Sequence, residues 1–213
     1  MREKLLGYYN YTVVLTYCGA LSAVAGIFCA MNGNYLYSVL CLMGAGICDM
    51  FDGAVAATKE RCDAEKCFGI QIDSLSDLVS FGVMPGLFVY CFFEKSVASA
   101  VAAAFYILCA LIRLAYFNVL EEERQRTTQG PRTSYLGVPV TTVAALLPAV
   151  YMVYDWGFVK SKGIFMFLIL LLGVGFISPL HIKKPQIIGK IILVVLGAAE
   201  MIGLLLLMGV EPL

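Results

Sequence analysis

The chain has 213 residues, of which 61% are hydrophobic and 14% are charged, and its mean hydropathy is +0.85. This composition is too apolar for an ordinary soluble domain and indicates a protein of the lipid bilayer. The formal net charge is zero, so no overall field favours nucleic acid as a partner.

Apolar segments long enough to cross a bilayer, about 20 residues each, follow one another along the whole sequence. No internal repeat and no flexible linker separates them. We therefore expect one domain over residues 1–213, an all-α polytopic transmembrane helix bundle with about six or seven spans. The predicted spans lie near residues 9–31, 34–57, 71–93, 97–119, 137–158, 163–180 and 187–209.

The Lys and Arg residues of the connecting segments indicate how the bundle is oriented. A cytoplasmic N-terminus places eleven of them on the inner side and only Lys95, Lys160 and Lys162 on the outer side. Positive charge collects on the cytoplasmic side of membrane proteins. The sequence therefore predicts an integral protein of the cell membrane with a cytoplasmic N-terminus.

Four aspartates form two pairs in the second and third spans. Asp49 and Asp52 are three residues apart, and Asp73 and Asp77 are four residues apart, so each pair shares one helix face. The predicted topology puts both pairs near the cytoplasmic ends of neighbouring helices. We expect the four carboxylates to converge there.

Four carboxylates at one place in a bilayer repel one another unless a cation lies between them. Oxygen ligands of this kind suit Mg²⁺ or Mn²⁺, with Ca²⁺ as a further, non-activating occupant, and do not suit zinc or copper. Such an ion can polarise a phosphoryl group and align an alcohol for attack. A divalent-metal site for phosphate chemistry is therefore predicted at the cytoplasmic face.

Two glycines accompany the acids. Gly53 follows Asp52, and Gly69 lies one turn before Asp73. A missing Cβ at these positions would let a nucleotide approach the backbone. Close packing between helices explains the same glycines equally well, so both interpretations stay open at this point.

The residues around the acids resemble the CDP-alcohol phosphatidyltransferases, whose motif reads D-x2-D-G-x2-A-R, then G-x3-D-x3-D. The stretch DSLSDLVSFGVMP, residues 73–85, is similar to the phosphatidylserine synthase branch of that family, as are LIRLAYFNV (111–119) and LGVPVTTVAALLP (136–148). The matching motif positions are Asp49, Asp52, Gly53, Ala56, Gly69, Asp73 and Asp77.

This resemblance implies an enzyme that moves a phosphatidyl group from CDP-diacylglycerol to an alcohol and releases CMP. It implies that Asp49, Asp52, Asp73 and Asp77 hold a pair of metal ions and that Asp77 is also the general base. The nucleotide would lie against Gly53, Ala56, Gly69 and the first two aspartates. The resemblance also implies membrane lipids as surroundings and a homodimer.

Two departures from the motif raise the alternative of an inactive relative. Ala57 stands where the motif has Arg, and eleven residues, rather than about eight, separate it from Gly69. Lys59 or Arg61 is a candidate to replace the missing charge.

The acceptor alcohol is predicted from the fourth span. Arg113 needs an anion, since an unpaired guanidinium inside a membrane is costly; the aspartates or an acceptor carboxylate or phosphate would supply one. Asn118 is a further candidate for acceptor binding. With the similarity of residues 73–85, these residues favour L-serine over glycerol 3-phosphate, inositol phosphate or choline.

A transporter is the alternative from another class of protein, because intramembrane acids also mark ion pathways. It predicts central ionisable residues and two related halves. Only Glu200 lies near the middle of a predicted span, and the sequence has no repeat.

Overall fold

The computed structural model of the protein describes residues 7–127, 134–183 and 187–208, and nearly all of them are helical. Two 3-10 turns, Tyr11–Val13 and Val140–Thr142, precede α1 and α6, and a π-helical segment, Leu78–Val83, joins α3 to α4. The α-helices are α1 (Val14–Met31), α2 (Tyr35–Ala56), α3 (Asp63–Asp77), α4 (Met84–Phe92), α5 (Val97–Thr127), α6 (Val143–Asp155), α7 (Gly163–Ile177) and α8 (Ile187–Met208).

The lengths and surfaces of these helices confirm the predicted membrane helix bundle. Four helical segments of the described chain are long and apolar enough to span a bilayer: Tyr11–Met31, Tyr35–Ala56, Asp63–Phe92 and Val97–Glu122. Three shorter apolar helices, Val140–Asp155, Gly163–Ile177 and Val194–Leu206, match the last three predicted spans. Large apolar side chains on the outer surface, such as Leu21 and Phe167, are typical of helices that face lipid.

The predicted start of the third span is wrong. The helix begins at Asp63 instead of residue 71, because polar residues extend it beyond its apolar part. The Glu65 carboxylate accepts a hydrogen bond from the Cys62 backbone N–H at 3.3 Å. Acidic groups in the first turn also interact favourably with the helix dipole.

The helix of the fourth span continues beyond residue 119, where the apolar span was predicted to end. Helix α5 continues to Thr127, and residues 128–133 lie outside the described residues. Beyond them, Ser134–Leu136 (β1) pairs antiparallel with His181–Lys183 (β2), with Ser134 opposite Lys183. The sequence did not predict this strand pair, which provides hydrogen-bond partners for backbone groups between helices.

Contacts between loops show which connections share an end of the bundle. Near the N-terminus, the Asn10 amide donates to the Glu65 carboxylate at 3.4 Å, and the hydroxyl groups of Tyr11 and Thr58 lie 3.0 Å apart. On the opposite end, Lys162 lies 4.0 Å from Glu94. Lys162 and Lys95, which follows Glu94, therefore lie at the same end of the bundle, as predicted. The orientation of the bundle relative to the cytoplasm stays a prediction.

Aromatic residues fill the core at the second of these ends. The ring of Tyr35, at the start of α2, lies 4.9 Å from the ring of Phe92, and the Phe92 ring lies 4.8 Å from that of Phe165. Phe88 and Phe165 are fully buried. We call this region, formed by Tyr35, Phe88, Phe92, Tyr154 and Phe165, the aromatic end.

Candidate functional site

The two acidic pairs come together between α2 and α3. Carboxylate oxygens of Asp49, Asp52 and Asp73 lie within 4.8 Å of one another. Asp77 lines a small cavity together with Asp49 and Asp52, and all four side chains are partly buried. We call the region around these four aspartates the carboxylate end.

The early start of α3 changes where the cluster lies along that helix. Asp73 follows the first residue of α3, Asp63, by ten positions, which is about 15 Å along a helix. The sequence suggested that the second acidic pair lies near the start of its helix. The structure instead places this pair well inside a continuous helix. A helix interior holds the two carboxylates more rigidly than a loop.

The chemistry of the cluster fits a divalent cation. Its donors are carboxylate oxygens, which are the ligands that Mg²⁺ and Mn²⁺ prefer. The oxygens of Asp49, Asp52 and Asp73 are close together, and partial burial makes their mutual repulsion costly without a cation. Asp49, Asp52 and Asp73 would therefore hold such an ion, with Asp77 beside them in the cavity lining.

Helix α1 forms a third wall of the cavity. The hydroxyl group of Thr16 donates to a carboxylate oxygen of Asp52 at 3.2 Å, and the hydroxyl group of Ser76 donates to the Thr16 carbonyl at 3.2 Å. A Cβ on Gly19 would lie 3.3 Å from the Cβ of Cys48, so this glycine allows α1 to approach α2. Thr16 was missed from the sequence, although a threonine in an apolar span is a usable signal.

The π-helical segment brings a buried serine to the same cavity. Ser80 is 1% exposed and lines the cavity, and its hydroxyl oxygen has no hydrogen-bond partner among the described residues. The fully buried Tyr106 donates from its hydroxyl group to the Phe81 carbonyl at 2.7 Å. π-helical turns often occur at functional sites, and this one begins directly after Asp77.

The glycines beside the acids differ in their surroundings. Gly53 lies in the last turn of α2, and a Cβ there would meet nothing within 4 Å. For Gly53 the open space supports access by a ligand over close helix packing. Ala56 ends the same helix. A Cβ on Gly69 would lie 3.0 Å from a guanidinium nitrogen of Arg61.

The two predicted acceptor-binding residues lie on α5 in different contacts. Arg113 is 7% exposed; its Nε donates to the Val138 carbonyl at 3.3 Å, and its guanidinium carbon lies 5.0 Å from the centre of the Phe117 ring. The amide oxygen of Asn118 accepts a hydrogen bond from the Ser74 hydroxyl at 2.9 Å. Since Ser74 follows Asp73 directly, Asn118 is connected to the acidic part of α3.

Comparison with known sequences identifies the family. The sequence profile of the CDP-alcohol phosphatidyltransferases matches residues 9–176, which include all four aspartates. The chain belongs to the CDP-alcohol phosphatidyltransferase family. The resemblance predicted from the spacing of acids and glycines is thereby confirmed.

Relatives within this family have names that mention serine. The chain is 30% identical over 140 residues to a CDP-diacylglycerol–serine O-phosphatidyltransferase of Saccharomyces cerevisiae, a match covering 64% of this chain and 50% of the yeast protein. It is 26% identical over 151 residues to an archaetidylserine synthase of Methanothermobacter thermautotrophicus, covering 70% and 61% of the two chains. A Helicobacter pylori CDP-diacylglycerol–serine O-phosphatidyltransferase is 28% identical over 184 residues, covering 84% and 73%.

The matched region is shorter than the first two of these relatives. This chain spans about half of the yeast protein and about three fifths of the archaeal one. The family is established over residues 9–176, and activity and substrates are taken up as proposals.

Proposed function

We propose that the protein catalyses the divalent-metal-dependent transfer of a phosphatidyl group from CDP-diacylglycerol to L-serine, giving phosphatidylserine and CMP. The observation that carries the proposal is the meeting of carboxylates from α2 and α3, in a chain whose family transfers phosphatidyl groups. The relatives support serine, because the names of all three contain it. The lipid in these names is not the same in all three. Serine as the acceptor is therefore better supported than diacylglycerol as the lipid of the donor.

The reaction needs a base, a fixed donor and charge neutralisation. When bound, the divalent ion supplies a Lewis acid that offsets negative charge on the phosphates. Asp49, Asp52, Asp73 and Asp77 would hold it, and the open space at Gly53, with Ala56 and Gly69, would border the nucleotide.

Asp77 is the proposed general base. Its carboxylate accepts the proton of the serine hydroxyl while the serine oxygen forms a bond to the phosphorus that carries diacylglycerol. The bond from that phosphorus to the bridging oxygen of the pyrophosphate breaks, and CMP leaves with the bonding electron pair. Thr16, by its hydrogen bond to Asp52, helps to fix the carboxylates in place.

Arg113 and Asn118 are proposed to act on the acceptor side. A guanidinium can bind the serine carboxylate through two parallel hydrogen bonds, and the ring of Phe117 and the Val138 carbonyl hold Arg113 in a defined position. Asn118 contacts Ser74 beside Asp73, which places a second polar group close to the acids.

The setting of the reaction is part of the proposal. We place the carboxylate end at the cytoplasmic face on the distribution of Lys and Arg. A single domain is retained from the sequence, and a homodimer is retained from the family resemblance.

The direct test uses purified protein in detergent with CDP-diacylglycerol, Mn²⁺ or Mg²⁺ and labelled acceptors. Serine, glycerol 3-phosphate and inositol phosphate are supplied separately, and CMP and labelled lipid are measured. We expect metal-dependent phosphatidylserine, abolished by EDTA. A clear preference for another alcohol would overturn serine and keep the chemistry, whereas no CMP with any acceptor would favour an inactive relative or a transporter.

A further inference from the structure

Three cations lie in the connection between α2 and α3 or in the turn that follows it, and two of them have anionic partners among the described residues. The ammonium group of Lys59 lies 3.4 Å from a carboxylate oxygen of Glu65, and that of Lys66 lies 3.5 Å from one of Asp63. Arg61, which is partly buried, makes no ion pair among the described residues. It is therefore the cation of this connection whose charge is available to a ligand.

The position of Arg61 relates this charge to the carboxylate end. Its guanidinium nitrogen would lie 3.0 Å from a Cβ on Gly69, so the guanidinium lies directly against the backbone of this glycine. Gly69 and Asp73 are four residues apart on α3 and share one helix face, about 6 Å apart along the axis. The guanidinium thus lies beside the position one helical turn before Asp73.

On the α2 side, the last turn of the helix is open at Gly53. A Cβ on Gly53 would meet nothing within 4 Å, and Ala57, where the motif has Arg, follows Gly53 by one turn. Alanine offers no charge there. The added residues between α2 and α3 bring the guanidinium of Arg61 to Gly69 instead.

We propose that Arg61 binds a phosphate group of the nucleotide donor, in place of the arginine that is absent at position 57. A guanidinium binds phosphate oxygens through two parallel hydrogen bonds, which an ammonium group cannot reproduce. The charge of Lys59 is already paired with that of Glu65, so Arg61 is the better candidate for this role. The inference rests on the proposed function and adds a binding residue specific to this chain.

The test compares Arg61→Ala and Arg61→Lys with Lys66→Ala, a nearby control at the start of α3 whose partner Asp63 is almost fully exposed. Loss of charge-assisted hydrogen bonds in Arg61→Ala raises the KM for CDP-diacylglycerol by about tenfold or more. The KM for serine stays unchanged, and Arg61→Lys is intermediate. Lys66→Ala behaves as wild type, and thermal unfolding in detergent verifies that each variant is folded.

A second variant tests the replacement directly. In the Arg61→Ala background, Ala57→Arg restores part of the lost affinity for CDP-diacylglycerol, because position 57 lies one turn from the open face of Gly53. An unchanged KM for CDP-diacylglycerol in Arg61→Ala, or an equal rise in Lys66→Ala, would overturn the proposal.

Binding of CMP, measured by calorimetry in Mg²⁺, separates this inference from the proposed function. Wild type that binds CMP and forms no lipid product contradicts the proposed reaction, and weaker binding by Arg61→Ala still supports the role of Arg61. Equal binding of CMP by wild type and Arg61→Ala contradicts that role whatever the acceptor.

Discussion

The two ends of α2 have opposite surroundings, aromatic rings at one end and carboxylates at the other. At its start, the Tyr35 ring packs edge to face on Phe88 and Phe92, and the Tyr35 hydroxyl donates to the Cys91 carbonyl at 3.0 Å. At its other end, Asp49 and Asp52 meet Asp73. At the aromatic end, the rings pack against one another and the hydroxyl group has a hydrogen-bond acceptor. The carboxylate end instead brings together groups that repel one another and need a cation.

This contrast separates stability from chemistry within one helix of 22 residues. Aromatic pairs contribute about 0.5–1.5 kcal/mol each beyond the area they bury. Clustered carboxylates without a cation oppose folding. Substitutions at the aromatic end should therefore lower stability, and substitutions at the carboxylate end should lower activity.

The largest effect is expected from Asp77→Asn. Loss of the general base lowers turnover by about 10²–10⁴-fold, and removal of one negative charge leaves the unfolding temperature in EDTA unchanged or higher. The formation of lipid product and thermal unfolding measure the two effects. Asp63→Asn is the control, since the Asp63 side chain is 99% exposed on the same helix; turnover near wild type in Asp77→Asn would refute its role.

Phe88→Ala tests the aromatic end. Phe88 is fully buried and its ring lies 5.6 Å from that of Phe92. We expect a loss of about 3 kcal/mol in the free energy of unfolding, at the lower end of the range for such cavities, because lipid removes most of the hydrophobic term. Thermal unfolding in detergent measures it, and the turnover of folded protein should remain within about twofold. If the turnover of Phe88→Ala were as low as that of Asp77→Asn, the aromatic end would contribute to activity as well as to stability, contrary to our account.

Gly53→Leu tests the open face of the carboxylate end. A Cβ at this position meets nothing within 4 Å, so we expect an unchanged unfolding temperature. The leucine side chain should obstruct the donor and raise the KM for CDP-diacylglycerol by about tenfold. Gly197 on α8 is the control, because a Cβ there also meets nothing within 4 Å. If Gly53→Leu and Gly197→Leu gave the same KM for CDP-diacylglycerol, Gly53 would not border the donor.

The smallest effect is expected from two buried serines whose hydroxyl oxygens both lack a partner among the described residues. Ser80 lines the cavity beside Asp77, whereas Ser38 lies near the start of α2. We expect the Ser80 hydroxyl to form one hydrogen bond to a group bound in the cavity. Ser80→Ala should therefore lower kcat by about 2- to 10-fold. Ser38→Ala should leave kcat unchanged. Equal kcat values for the two variants would show that Ser80 does not contribute to turnover.

The membrane bundle and the acidic pairs were predictable from the sequence because both depend on regular spacing. Apolar length indicates a span, and the three- and four-residue intervals put each acidic pair on one helix face. The start of α3 was not predictable from hydropathy, since Asp63 and Glu65 are polar yet favour the first turn of a helix.

Contacts between distant segments could not be read from the sequence. The strand pair β1–β2 joins residues far apart in the chain. The hydrogen bond from Thr16 to Asp52 and that from Ser74 to Asn118 depend on how α1 and α5 pack against the acidic helices. The position of Arg61 follows from the path of a connection whose length, but not whose course, is visible in the sequence.

The binding of Mn²⁺ tests the central claim most directly, because it requires neither substrate nor turnover. Titrations of the purified protein, followed by the electron paramagnetic resonance signal of free Mn²⁺, compare wild type with Asp73→Asn and Asp63→Asn. We expect wild type and Asp63→Asn to bind alike, and Asp73→Asn to bind at least about tenfold more weakly. Equal binding by all three proteins would contradict a metal site formed by the aspartates of α2 and α3.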